Sequence, residues 1–161
     1  MSGTNLTAIR DHLARALAWA DAHATFDKAV ADIPEGKRGA RAAGFEHSPW
    51  QLLEHIRLAQ DDILDFCVNA KYEHTMKWPD DYWPASPEPP NAAAWDASLT
   101  EYARGRDALQ RVARDTPDLT APVPTGKGTQ TYLRSILLVV DHSAYHVGQL
   151  VALRRALGIW P

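Results

Sequence analysis

The stretch from residue 139 to 157 restricts the fold of this chain more than any other. Val139, His142, His146, Gln149, Leu153 and Leu157 recur at steps of three and four, the period of one helix face. The two histidines, one turn apart, therefore belong to the stripe expected to face a core. Two imidazoles on an apolar stripe are either hydrogen-bonded core residues or joint ligands of a metal ion. Neutral imidazole is the commonest side-chain ligand for Zn, Ni, Cu and Fe. An ion would need at least one more ligand from elsewhere.

Three other segments have the same period. Leu6, Ile9, Leu13, Leu17, Ala20 and Ala24 predict a first helix over about residues 4–32, stopped by Pro34 and Gly36. A basic loop follows, with Lys37, Arg38 and Arg41 as a solvated connection or a weak anion site. Ser48-Pro49-Trp50-Gln51 has the residues of a capped helix start: a hydroxyl acceptor, proline in the first turn and a glutamine able to reach back. That second helix runs to about Ala70 with Leu52, Ile56, Ala59, Ile63, Phe66 and Cys67 inward. His55 lies beside this stripe and is the candidate third ligand. Asn91 caps a third helix with Trp95, Leu99, Tyr102, Leu109 and Val112 inward, ending near Asp115. Thr129 or Gln130 opens the last helix, which Gly158 stops.

Strand-like alternation is absent, so the predicted fold is all-α, a four-helix bundle in one domain over residues 1–161. The long connection over 71–91 allows the second and third predicted helices to run parallel, and the second and last antiparallel. His55 and His146 then lie at depths that differ by about one turn, roughly 6 Å at 1.5 Å per residue. The connection itself holds Trp78-Pro79, Tyr82-Trp83-Pro84, Pro87 and Pro89-Pro90. Structureless loops of about twenty residues usually cover something. Here that is either a hydrophobic groove or a pocket, with Trp78, Tyr82 and Trp83 touching substrate; His74 is expected at the surface.

Composition narrows the function. A net charge of -3, with no basic cluster, argues against a nucleic-acid partner. The single cysteine, Cys67, rules out an internal disulfide framework and suits a reducing cytoplasm. No secretion signal is expected, and the longest apolar run, Ile136 to Val140, is too short to span a membrane.

Ser48-Pro49-Trp50-Gln51-Leu52-Leu53-Glu54-His55, together with Asp141-His142-Ser143-Ala144-Tyr145-His146-Val147-Gly148-Gln149-Leu150 and Leu153-Arg154-Arg155-Ala156-Leu157-Gly158, resembles the DinB-like (YfiT-like) four-helix-bundle family. The resemblance covers nearly the whole chain. It implies an up-down-down-up topology and a metal site in which His55, His142 and His146 are the ligands. Relatives of that kind include mycothiol-dependent maleylpyruvate isomerase and bacillithiol transferases, in which the metal is thought to activate a low-molecular-weight thiol.

Three neutral histidines leave coordination positions for water or substrate, as in a catalytic site. Zn or Ni is the expected ion, with Fe or Mn as alternatives. Neither H-E-x-x-H nor E-x-x-H occurs, which removes the usual zinc-protease base and the di-iron carboxylate bundle. Asp62 and Glu54 are the candidate general bases; Tyr145 and Gln149 would bind substrate or orient a ligand, and Trp83 would line the pocket. The expected function is a metal-dependent thiol S-transferase or hydrolase, against a metal-binding or stress-related protein without turnover. The expected setting is a cytoplasmic homodimer acting on a small molecule.

Overall fold

The computed structural model describes residues 3–161. Five α-helices follow in order: α1 (Gly3–Ala16), α2 (Phe26–Val30), α3 (Pro49–Val68), α4 (Ala92–Asp115) and α5 (Tyr132–Ala156). Single 3₁₀ turns lie at Glu35–Lys37 and Asp80–Tyr82, and no strand is formed among the described residues. The molecule is an all-helical bundle.

Local chemistry explains the starts of the long helices. Ser48 Oγ accepts from the Gln51 amide, Gln51 Oε1 accepts from the Ser48 amide, and Pro49 occupies the first turn of α3. Asn91 Oδ1 accepts from the Ala94 amide to begin α4. α5 begins slightly later than the sequence suggests, because the Gln130 carbonyl accepts from the Val123 amide and Thr131 bridges Pro122. Those residues are held extended, and Thr131 caps the helix through the Arg134 amide.

The predicted first helix is two helices. Thr25 accepts from the Lys28 amide and starts α2 afresh, a use of the hydroxyl that competes with continuing a helix through it. The break lets Phe26 stack on Tyr102 at 3.7 Å while Leu17 stays buried from the other side. Arg154, 2% exposed, donates to the Lys28, Ala29 and Ile159 carbonyls and so joins α5 to the end of α2. Leu6 and Ile9, expected to face inward, are exposed. Arg10 shows why: it donates to the Ala113, Arg114 and Pro117 carbonyls at the end of α4, so earlier residues project past that helix.

Two apolar clusters fill the bundle. One joins Phe26, Trp50, Leu53, Ile56, Trp95, Tyr102, Leu150 and Leu153; the other joins Leu13, Leu17, Leu109, Ile136 and Val139. Full burial of a side chain such as Leu53 or Ile56 contributes about 1.5–3 kcal/mol. Contacts between helices are specific. Trp50 meets Trp95, Gln60 donates to the Tyr102 carbonyl, and Gly105 packs against Gln60, where a Cβ would collide. Near the far end of α3, Thr125 donates to the Phe66 carbonyl, and the buried Cys67 lies beside Ser135 of α5. Gln110 donates to the Ala14 carbonyl.

By length and composition α5 is apolar enough to cross a membrane. Its apolar side has another partner here, since Ile136, Val139, Val147, Leu150 and Leu153 are buried in the two clusters. The 71–91 connection folds down onto α3, where Gln51 Nε2 donates to the Pro84 carbonyl and Ser48 Oγ to that of Pro87.

Candidate metal centre

α3 carries His55 in its second turn, where the ring is 2% exposed; α5 carries a buried His146 and a half-buried His142. The structure brings the three together. His55 Nε2 lies 3.1 Å from His146 Nε2 and 3.0 Å from His142 Nε2. One nitrogen from each ring falls within 4.8 Å of the others, a group able to hold a metal ion.

The outer nitrogens decide what the inner ones can do. His55 Nδ1 lies 3.1 Å from the Tyr82 carbonyl, which only accepts, so Nδ1 carries the proton and Nε2 a lone pair. His146 Nδ1 lies 2.7 Å from Gln149 Oε1, which sets the same tautomer. Gln149 is itself held by donating to the Tyr145 hydroxyl at 3.1 Å. Two bare lone pairs thus face each other across 3.1 Å. Protonation does not relieve this near neutral pH. Burial, chiefly, pushes His55 and His142 down to about 4 and lowers His146 as well. A cation satisfies such an arrangement, and anchored outer nitrogens are the usual support of histidine ligands. The donor set therefore fits a divalent metal ion.

Aromatic rings wall the site. Trp83 stacks on His55 at 3.7 Å with planes 3° apart, and Trp78 lies 5.8 Å from His55 and 6.2 Å from His142. Beside His146 opens a cavity of about 490 Å³, lined among others by Phe45, Glu46, His47, Trp83, Tyr145 and Gln149. A larger cleft, about 910 Å³, lies across α5 between residues 20–28 and Trp160; none of the three histidines lines it.

A family model for the DinB superfamily matches residues 18–150, a span that includes all three histidines. The chain belongs to the DinB superfamily. No curated protein and no solved structure matches it.

Other candidates of this DinB-superfamily chain fall in varied places. Gln149 orients His146, and Tyr145, 64% exposed, stands edge-on to it at 4.8 Å. Trp83 covers His55. Asp62 accepts from the Tyr72 and Tyr82 hydroxyls at 2.8 and 2.7 Å, one on each oxygen. Its carboxylate thus holds the turn whose Tyr82 carbonyl orients His55. Glu54 is taken up by a two-point Arg57 pair; burial would raise its pKa, but Arg57 and Ser98 hold it below the ordinary value. His74 is half exposed and bonded to Tyr72. Helix-face periodicity points to neither His47 nor the Tyr82 carbonyl. One lies in a loop and the other in a 3₁₀ turn, where no 3.6-residue phase marks a side chain or a carbonyl as facing a site.

Proposed function

We propose that this DinB-superfamily protein is a divalent-metal-dependent enzyme that transfers a small thiol, with His55, His142 and His146 as its metal ligands. The facing Nε2 lone pairs of His55 and His146 carry the reading, because a cation held among the three rings relieves them. A bound ion would act there as a Lewis acid that lowers the pKa of a thiol or water.

The chain's own groups supply the rest. Tyr82 and Gln149 hold the protons of His55 and His146 on Nδ1, which keeps the inner nitrogens free. Trp83 excludes water from the covered face of His55, and the cavity beside His146 admits a small molecule. That cavity favours turnover over a purely structural or storage role, for which a closed site would serve. Asp62 and Glu54 are bound to neighbours, so the α3 carboxylates are poorly placed to deprotonate water. A thiol, which ionises near pH 8.5 unaided, needs less help, and this favours S-transfer over hydrolysis.

The reading includes an up-down-down-up course of α1, α3, α4 and α5 in a single domain. Trp50 with Trp95 and Gln60 with Tyr102 support a parallel α3 and α4; His55 with His146 and Cys67 with Ser135 support an antiparallel α3 and α5. It also includes a cytoplasmic homodimer. Leu137 and Leu138, exposed on the outside of α5, offer apolar surface to a second copy. Light scattering that returned the monomer mass would remove the dimer.

The central test is metal analysis of protein purified without an affinity tag, followed by a screen for metal-dependent conjugation of low-molecular-weight thiols. About one ion per chain is expected in the parent and none in a folded His55→Ala variant. Equal metal content in the two would end the ligand assignment. Stoichiometric metal with no turnover on thiol or hydrolase substrates would leave a metal-binding protein without an enzymatic role.

A further inference from the structure

His47 is a fourth histidine at this site. It immediately precedes the Ser48 cap of α3 and lines the cavity beside His146 together with Glu46, Tyr145 and Gln149. Its ring stacks on Trp83 at 3.7 Å with planes 12° apart, and Trp83 stacks in turn on His55 at 3.7 Å. An indole therefore stands between His47 and the nearest ligand ring. His47 is outside the group whose nitrogens converge on one point.

Its two nitrogens have different surroundings. Nδ1 is buried without a hydrogen-bond partner. A proton there would be a buried, orphaned donor, a rare and costly state. The proton therefore belongs on Nε2, the nitrogen left to meet the cavity. Burial lowers the pKa of the ring, Glu46 opposes this and Arg41 adds to it, so the ring stays neutral and keeps a single donor. Tyr145 provides a second. Its hydroxyl accepts from Gln149 Nε2, which leaves its own hydrogen free to be donated.

Resting on the three-histidine metal reading, we infer that His47 is a substrate-binding residue that donates Nε2–H to an oxygen acceptor of the cavity's ligand. It is not a fourth metal ligand. The ligand class follows from the lining. Two neutral donors select a carbonyl-type oxygen, Glu46 disfavours added negative charge, and Phe45, Leu52 and Trp83 accept an apolar body.

The test uses the Co²⁺-loaded protein and acetohydroxamate, a small carbonyl compound that binds metal ions through oxygen, with the visible cobalt spectrum as the readout. His47→Phe keeps a flat ring against Trp83 but has no donor; His47→Gln keeps an N–H donor. All forms are expected to load cobalt equally. The acetohydroxamate Kd should rise about tenfold in His47→Phe, the order of one neutral hydrogen bond, and stay within about threefold in His47→Gln. Unchanged affinity in His47→Phe, with cobalt retained, would overturn the inference alone. Loss of cobalt from a folded His47→Phe would also overturn it, by making His47 a ligand. Failure of the parent to load cobalt would end the metal reading, and this inference with it. If His47→Phe folds poorly, His47→Leu replaces it in the same comparison with His47→Gln.

Discussion

Gln149 has the clearest single-residue role at the centre. Its Oε1 accepts from His146 Nδ1 at 2.7 Å, while its own amide is tied to the Tyr145 hydroxyl. Replacing it by leucine keeps a helix former on a half-buried position and removes only the anchor. Such outer contacts affect metal affinity by about 10–100-fold, so Gln149→Leu is expected to weaken binding by that factor with little change in thermal stability. A chelator competition titration checks this, and an unchanged Kd would show that His146 needs no anchor. Asp62 works at one remove, through Tyr82, whose hydroxyl it accepts and whose carbonyl meets His55. Position on a helix face placed Asp62 near the site. The two tyrosines that occupy it come from the connection, and no face periodicity connects them to α3.

At the scale of elements, the 71–91 connection joins stability to the site. It is pinned to the start of α3 by Gln51 and Ser48, and its Trp83 lies flat between His55 and His47. Trp83→Ala would remove both stacked faces and open His55 to water. Burying a large aromatic contributes about 3–5 kcal/mol when complete; Trp83 is half-buried, so a loss of about 2 kcal/mol is expected. Metal should also dissociate faster from this variant. Urea unfolding and a chelator-chase rate measure the two effects. If stability drops while the chase rate stays that of the parent, the connection is hydrophobic cover and no part of the site. The short α2 makes a related point, because its existence depends on Phe26 meeting Tyr102 and on Arg154 reaching its last carbonyls. Continuous helical periodicity over residues 4–32 concealed that break.

For the whole molecule, the buried histidines couple folding to pH. His55 and His142 are held near 4, against 6.5 for the ordinary group. The unfolded chain therefore takes up protons first as the pH falls, and the folded chain only near pH 4. Their contribution to stability is full above about pH 6.5 and is lost progressively between 6.5 and 4. The urea midpoint of the metal-free protein should fall over that window. Because the folded site stays unprotonated there, the extra stability conferred by a fixed metal concentration should stay nearly constant down to about pH 5. A gap between loaded and metal-free midpoints that closes already at pH 6 would mean that the histidines titrate normally.

From the sequence alone came the helix faces, the caps at Ser48 and Asn91, and the two motifs that mark this chain as DinB-like. These are local: a period of 3.6, a hydroxyl before a proline and a pair of imidazoles one turn apart are written in consecutive residues. Only the tertiary structure decided which nitrogen of His55 and of His146 carries a proton, what stands over His55 and that His47 shares the cavity. Each depends on segments far apart in sequence, such as His55 with the carbonyl of Tyr82 or Trp83 between two rings. Hydrogen-bond direction and ring stacking are set where such segments meet in space, and no spacing along the chain encodes that meeting.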